Sequence, residues 1–587
     1  MPSDVKTGTD GHILPRVVFD ALRLRGTATV IRWKRFGLWQ TMSGSDLTAR
    51  SEAIARSLRA RGFKTGDVAA VVGDNCCEWV QADLGILAAG GVSAGLDAHG
   101  SADELTRMLR LTGARVLFVA GDDALQKALI ARLNYPDLAT IVTMHQQWND
   151  APVDPVVVSL QDLLAASAQE AVNAVTLAPD APAMIIITSG NTGLARGAVL
   201  THQAITAQAK AGVVALDLRD EDERLSLTPI HHVMERVLGI YSALLAGTVI
   251  NFAESADTAL ANLVELQPTV IQASPQLWAR LRAAALFSTT GTTRLQRAAT
   301  RAAFTYGAQR HNAPAWQALP RLLTDWLALS PIRHRIGLGR ARHCISTGAA
   351  VQADVAAWFQ AIGRPLLNVY GHAETGGIVS VATTLGGKPV VTSPDGIALK
   401  LDSHAELLVR SASLFTGYAG GGDAAIADGW WRSGDVGMER GGGLGVVGRV
   451  LHQLQSPHGA MIRPFDSEQA LRASPYIADA FLILDGVGQP RARILLDSDS
   501  AVQFAQDGGI PFTHFESLCR SPEINALIAG VVAEVNRTIP AVNIASFSLI
   551  EHLPRPGDPE LTPMLTLRRH LLQDDDSTTL APHSVAM

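Results

Sequence analysis

Cysteine is scarce. The 587 residues contain four, Cys76, Cys77, Cys344 and Cys519, with no Cys-x-x-Cys spacing and no set of histidines beside them. That excludes a disulfide framework and a zinc module, and it suits a reducing compartment. Charged residues make up only 18% of the chain and sum to -6, whereas binding a nucleic acid polymer calls for a clustered surplus of cations. No apolar run reaches the roughly 20 residues that span a bilayer. Met1 to Gly11 lacks a basic-then-apolar leader pattern. These absences predict a cytoplasmic protein, soluble or peripheral to the inner face of the membrane. Self-similarity at periods of about 20 to 50 residues is also missing, which excludes a solenoid.

What is present is apolar: 47% of the residues, enough for several cores in a chain of this length. From Ser45 onward helical and strand patterns alternate. Ser45 can cap a helix whose Leu47, Ile54 and Leu58 share a face and which Gly62 ends; Val68–Val72 reads as the strand that follows. A helical pattern over 79–89 leads through Gly90 and Gly91 and a further helix to the strand Val116–Val119. Alternation of this kind predicts βαβ units in largely parallel sheets flanked by helices.

The most informative stretch runs from Met184 to His202. Ile185 to Ile187 reads as a buried strand that ends in a loop carrying Thr188, Ser189, Gly190, Thr192, Gly193 and Arg196, with Ala198 to Leu200 as a second strand. Glycines let backbone N–H groups face an anion, hydroxyls add donors, and the guanidinium supplies charge. The same composition also makes an ordinary surface turn. It is not a Walker loop, which ends in Gly-Lys-Ser/Thr at the start of a helix.

The order Thr-Ser-Gly-x-Thr-Gly, a basic residue, Gly, and then Thr201-His202 resembles the phosphate loop of the adenylate-forming, acyl-activating superfamily, although the usual Pro-Lys is Ala195-Arg196 here. Five further stretches carry the resemblance. Gly62-Phe63-Lys64-Thr65-Gly66-Asp67, with Asp74-Asn75 and Glu78-Trp79, looks like the N-terminal lobe and supports the fold; no catalytic role is assigned to it. Pro229-Ile230-His231-His232-Val233-Met234-Glu235-Arg236 is similar to a pattern of the long-chain fatty acyl-CoA synthetases, which implies that His232 stands near the substrate carboxylate. A histidine among apolar residues is equally a core or cap residue, and Glu235 and Arg236 equally an ion pair that organises their helix. Ser346-Thr347-Gly348-Ala349-Ala350 resembles the adenine-binding turn. Tyr370-Gly371-His372-Ala373-Glu374 resembles Tyr-Gly-x-Thr-Glu, which implies Tyr370 and Gly371 at the adenine and Glu374 on Mg²⁺. Gly429 to Asp435 resembles Gly-Trp-x-x-Thr-Gly-Asp, and by that likeness Asp435 takes both ribose hydroxyls.

The resemblance spans roughly residues 30 to 572 and implies three parts: an AMP- and acyl-binding domain over 1–447, a small mobile α+β domain over 448–573, and a disordered tail over 574–587. Arg449, Gly459, Ile462, Pro464 and Glu468 keep the family's spacing after the hinge, and Arg449 counts among the catalytic candidates with Arg196, His232 and Glu374. Leu451 stands where a charged hinge residue is usual, Ala373 replaces a threonine, and Thr566 replaces the lysine that reaches the reacting carboxylate. ATP, Mg²⁺ and CoA, or a carrier pantetheine, are the cofactors implied. The substrate is a fatty acid or another carboxylate, and an acyl carrier protein or partner enzyme is the protein partner implied. Two functions follow: a ligase whose adenylation half is impaired, or a degenerate relative that binds nucleotide or acyl-adenylate, or that performs only thiolation. Separately, Arg280 to Arg342 holds eleven arginines and one acid, Asp325. The run reads as a solvated face or as a surface for anionic lipid.

Overall fold

The computed structural model describes residues 12–144, 156–166, 176–189, 195–290, 329–385, 388–422, 424–455, 461–485, 487–540 and 542–554, together with positions 558, 560, 567 and 583–584. The expected alternation folds into two large sheets. One has eight strands, and six of them, from Pro182–Ser189 through Val92–Leu96, Val68–Val72, Val116–Val119 and Thr140–Thr143 to Val157–Ser159, run parallel. Its other edge is antiparallel: Ala195–Thr201 folds back on Pro182–Ser189, and Gly417–Ala419 covers the exposed side. The second sheet has nine strands and is parallel through Val249–Phe252, Glu223–Leu225, Val270–Ala273, His343–Thr347 and Leu366–His372. Near-continuous Val, Ile and Ala in these central strands is what burial on both faces requires.

An antiparallel five-stranded sheet follows over 398–449. Its last strand, Gly443–Arg449, sets Arg449 opposite Asp435 on Trp430–Arg440. Beyond it, a four-stranded sheet built on Ile477–Leu484 and Pro490–Leu496 packs against the helix Pro522–Thr538 around a core of its own, including Leu482, Ile494, Ile528 and Phe547. A large α/β body with a small α+β unit is the architecture expected.

Three local expectations change. The helix predicted from Ser45 spans Gly44–Ala60, and its cap is Ser43, which accepts the Asp46 N–H while Asp46 reaches back. A serine two residues earlier meets the same orphan donors. Glu235 and Arg236 do not pair within their helix. The segment Met234–Tyr241 is a π-helix, buried throughout, and each charge is met from another element. Glu235 accepts from Arg224 Nη2 at 2.8 Å and Ser226 Oγ at 2.6 Å. Arg236 donates through Nε to Asp83 at 3.2 Å and through Nη2 to Ser93 Oγ at 2.6 Å, with Trp79 under its guanidinium at 5.0 Å. Gly239 makes room for the first pair: a Cβ there would fall 2.3 Å from Arg224 Nη1. Finally, described arginines of the basic run are matched by acids from outside it, Arg282 by Asp354, Arg342 by Asp217 and Asp222, and Arg340 by Glu223. Arg294, Arg297, Arg301, Arg310, Arg321 and Asp325 lie outside the described residues.

All four cysteines are free. Burial pushes the Cys344 and Cys519 thiols up to about 12, so they are inert. Among the described residues no helix is long and apolar enough to cross a membrane.

Candidate active site

One cleft at the carboxyl ends of the parallel strands gathers most of the predicted residues: Thr188, Arg196, His232, Gly348, Ala349, Ala350, Tyr370, Gly371, Glu374, Asp435 and Arg449 all line it. Open α/β sheets bind ligands in this position because the loops from neighbouring strands converge there.

Asp435 is the centre of the first cluster. Its carboxylate is 2% exposed. Oδ2 accepts from Tyr370 OH at 2.6 Å and His372 Nε2 at 2.7 Å, and Oδ1 meets Arg449 Nε at 2.8 Å. Burial alone would raise its pKa; the His372 and Arg449 charges and the Tyr370 hydroxyl outweigh this and hold it below the usual carboxylate range. The turn beneath is braced by Ser433, whose hydroxyl donates to Leu407 O and accepts the Asp435 N–H, and by Glu406, which accepts the Gly434 N–H. His372 edges against both Tyr370 and Trp431, so the ring that reaches Asp435 is fixed by aromatic packing.

The second cluster brings Glu374 and Arg196 to one tyrosine, Tyr418. Glu374, 8% exposed, accepts from Tyr418 OH at 2.9 Å. Arg196 lies over the same ring at 5.2 Å. Burial and Glu374 drive the Tyr418 hydroxyl well up, so it stays a donor. Tyr418 arrives on Gly417–Ala419, in register with Ala198. One oxygen of Glu374 has no partner among the described residues. A carboxylate so placed, beside a cation and hydroxyl donors, fits a hard divalent ion shared with phosphate oxygens. Among the described residues no group of three His, Cys, Asp or Glu side chains could hold a metal alone, so the remaining ligands would come from nucleotide and water.

The third cluster is His231 and His232, both half-buried in the loop before the π-helix. Burial, with His231 beside it, lowers His232 to about 4, so its ring is neutral at neutral pH. Its Nδ1 accepts the Met234 N–H at 3.3 Å, which fixes the tautomer with Nε2 protonated.

Several predicted residues are not brought into view. Gly190, Thr192 and Gly193, like Leu194, lie outside the described residues, as do Gly459, Thr566 and the side chains of Ser189 and Leu451. Leu567, next to Thr566, does line the cleft. Conversely, His372, Tyr418 and Asn368 are not among the residues singled out by sequence pattern. Asn368 also lines the cleft, with its Oδ1 buried and unpartnered, as are the hydroxyls of Ser346 and Thr347 under the Gly348 turn, where Gly348 has φ +95°. His372 fills a variable position of its motif, and Tyr418 is remote in sequence from both groups it touches.

Known proteins resemble this chain in sequence and in fold. The putative fatty-acid–CoA ligase fadD11 of Mycobacterium tuberculosis is 29% identical over 436 residues, 71% of this chain and 76% of its own length. The long-chain-fatty-acid–CoA ligase FadD15 of Mycobacterium bovis is 25% identical over 560 residues, 92% of this chain and 91% of its own. In the fold, an anthranilate CoA ligase solved with anthranoyl-AMP superposes with a TM-score of 0.71 at 18% identity, covering 96% of both chains. ATP-bound MatB from Rhodopseudomonas palustris gives 0.68 at 18% identity, covering 96% of this chain and 98% of its own. The signature of the AMP-binding enzyme family matches residues 20–419, more than half of the chain, and the chain belongs to that family.

Proposed function

We propose that this protein is an ATP- and Mg²⁺-dependent acyl-CoA ligase that activates a fatty acid, long-chain by the likeness of its relatives, and hands the acyl group to CoA or a carrier pantetheine. The observation that carries the reading is the pair of clusters in one cleft: a buried carboxylate at the ribose position, and a carboxylate tied through Tyr418 to Arg196 at the phosphate position. In the first half-reaction a substrate carboxylate oxygen attacks the α-phosphorus of ATP, the P–O bond to pyrophosphate breaks, and pyrophosphate leaves. In the second the thiol sulfur attacks the acyl carbon and AMP leaves, the thiol proton passing to solvent or a cleft base.

The chain's residues contribute by binding and by charge. Asp435 and Arg449 hold the ribose, Tyr370 covers the adenine, and Arg196 faces the β- and γ-phosphates. His232, uncharged, donates through Nε2 toward the carboxylate. Mg²⁺ on Glu374 would neutralise phosphate charge. Holding reactants in line supplies most of the rate, since no acid–base group is required at the reacting phosphorus. The small unit after Arg449 is the candidate for the mobile domain, with the hinge just beyond strand Gly443–Arg449.

Adenylation is the weaker half in this reading. Ala373, 8% exposed, offers no hydroxyl beside Glu374, and Thr566 carries no charge. Loss of one preorganised contact to developing charge costs about 10²–10³ in rate. ATP–pyrophosphate exchange over a panel of fatty and aryl acids is the test. Wild type should exchange slowly, Thr566→Lys should accelerate exchange, and thiolation of supplied acyl-adenylate should change little. Fast wild-type exchange that the lysine leaves unaltered overturns the impairment. Absence of both half-reactions, with AMP still bound, would favour the non-catalytic, nucleotide-binding alternative.

A further inference from the structure

The loop that presents His231 and His232 is not held by its own strand alone. Asn75 follows the strand Val68–Val72 of the eight-stranded sheet, yet all its amide contacts are with the other sheet's loop. Nδ2 donates to Ser226 Oγ at 2.9 Å and to Thr228 O at 2.7 Å, and Oδ1 accepts the Ile230 N–H at 2.8 Å. Ser226 passes the connection on, donating to Glu235 at 2.6 Å, and Gln272 donates to Met234 O at 3.1 Å, so the loop is tethered on both sides of the histidines. From the facing strand, Gly95 lets the backbone in: a Cβ there would stand 3.0 Å from both Cα and Cβ of His231. Two donors and one acceptor in a short planar amide are what this loop demands. Aspartate lacks the donors, and glutamine carries an extra methylene.

We propose that Asn75 is a positioning residue for the reaction: it clamps the 226–230 loop across the two sheets and so sets His232 at the substrate carboxylate. This rests on the ligase reading for what His232 faces, but not for the clamp itself. A merely structural asparagine would lower stability and every ligand affinity together. A clamp changes the histidine loop and leaves the Asp435 end of the cleft alone.

The test uses the full chain as wild type, Asn75→Ala and Asn75→Asp. His232 is neutral at neutral pH and open to diethyl pyrocarbonate, so its modification rate, located by peptide mass spectrometry, reports the loop without any activity. Asn75→Ala removes all three hydrogen bonds and should raise that rate at least about tenfold, the ratio that the net loss of one ordinary hydrogen bond alone would set. Asn75→Asp, which keeps the acceptor for Ile230, should fall between. AMP affinity should stay within about twofold of wild type. In pyrophosphate exchange kcat should fall about tenfold with little change in KM for ATP. Unchanged modification and unchanged kcat in a folded Asn75→Ala overturn the proposal, as does parallel loss of AMP binding. Should the alanine variant not fold, the isosteric Asn75→Asp carries the same comparison. Faster modification in a protein with no exchange for any acid would uphold the clamp and refute the ligase reading instead.

Discussion

Asp435 has more suitors than it can serve, and this makes nucleotide binding calculable. A carboxylate offers about four acceptor sites. Tyr370, His372 and Arg449 occupy three of them. Two ribose hydroxyls bring two donors, so one resident donor must let go. The net gain is then one hydrogen bond to a charged acceptor, about 1.5–3 kcal/mol, or about 10- to 150-fold in Kd. Asp435→Ala should weaken AMP by that factor in titration calorimetry. Its orphaned partners are the same in the free and bound states, so their cost largely cancels. Tyr370→Phe keeps the ring but vacates one acceptor site, so AMP should bind as well as to wild type, or up to about tenfold more tightly. An unchanged Kd in Asp435→Ala removes this carboxylate from the ribose. A Tyr370→Phe protein as weak as Asp435→Ala refutes the counting.

Asp83→Ala should be among the most destabilising single changes, because it strands the fully buried Arg236; about 3–5 kcal/mol is expected, read as a drop in the first thermal transition, and a shift no larger than that of a surface alanine contradicts it. His202 is 1% exposed with an unpartnered Nδ1, and burial lowers its pKa to about 4. Its unfolded value is about 6.5, so the unfolded chain takes up a proton first. Stability is therefore whole above pH 6.5 and declines as pH falls toward 4. His202→Asn should flatten that slope in urea titrations, and identical slopes would dismiss the assignment. Gly239→Ala places a methyl 2.3 Å from Arg224 Nη1, so a loss of about 1–3 kcal/mol is expected; urea midpoints indistinguishable from wild type would show that the pair yields without strain.

The features that a short stretch of chain encodes were readable beforehand. The strand at Ile185, its return through Ala198 to Leu200, and the strands Val68–Val72 and Val116–Val119 follow from local apolar patterning, and the structure has them. The order of motifs pointed to the cleft because each motif lies within or close beside a strand. What escaped is contact across long separations. Arg236 finds Asp83 over 153 positions and Tyr418 finds Glu374 over 44, and no period in the sequence announces either. Sequence assigns Asn75 no role beyond supporting the fold, since a local pattern cannot reveal a partner 155 positions away. Partners within the basic run escaped for the same reason: the acids that meet Arg282, Arg340 and Arg342, which are Asp354, Glu223, Asp217 and Asp222, lie outside it in sequence.

The π-helix Met234–Tyr241 also constrains how this segment can change length. Each π turn holds about one residue more than an α turn. Removing a residue such as Gly239 would thus regularise the backbone hydrogen bonding, and a propensity scale would score the deletion as harmless. Yet each residue of an α-helix advances the azimuth by about 100°. The deletion would swing Glu235 and Arg236 by that angle relative to Tyr241, and Arg224 and Asp83 would face apolar side chains in their place. The segment is consequently intolerant of any single-residue insertion or deletion, and alignments of relatives should carry their gaps on either side of residues 234–241 rather than within them.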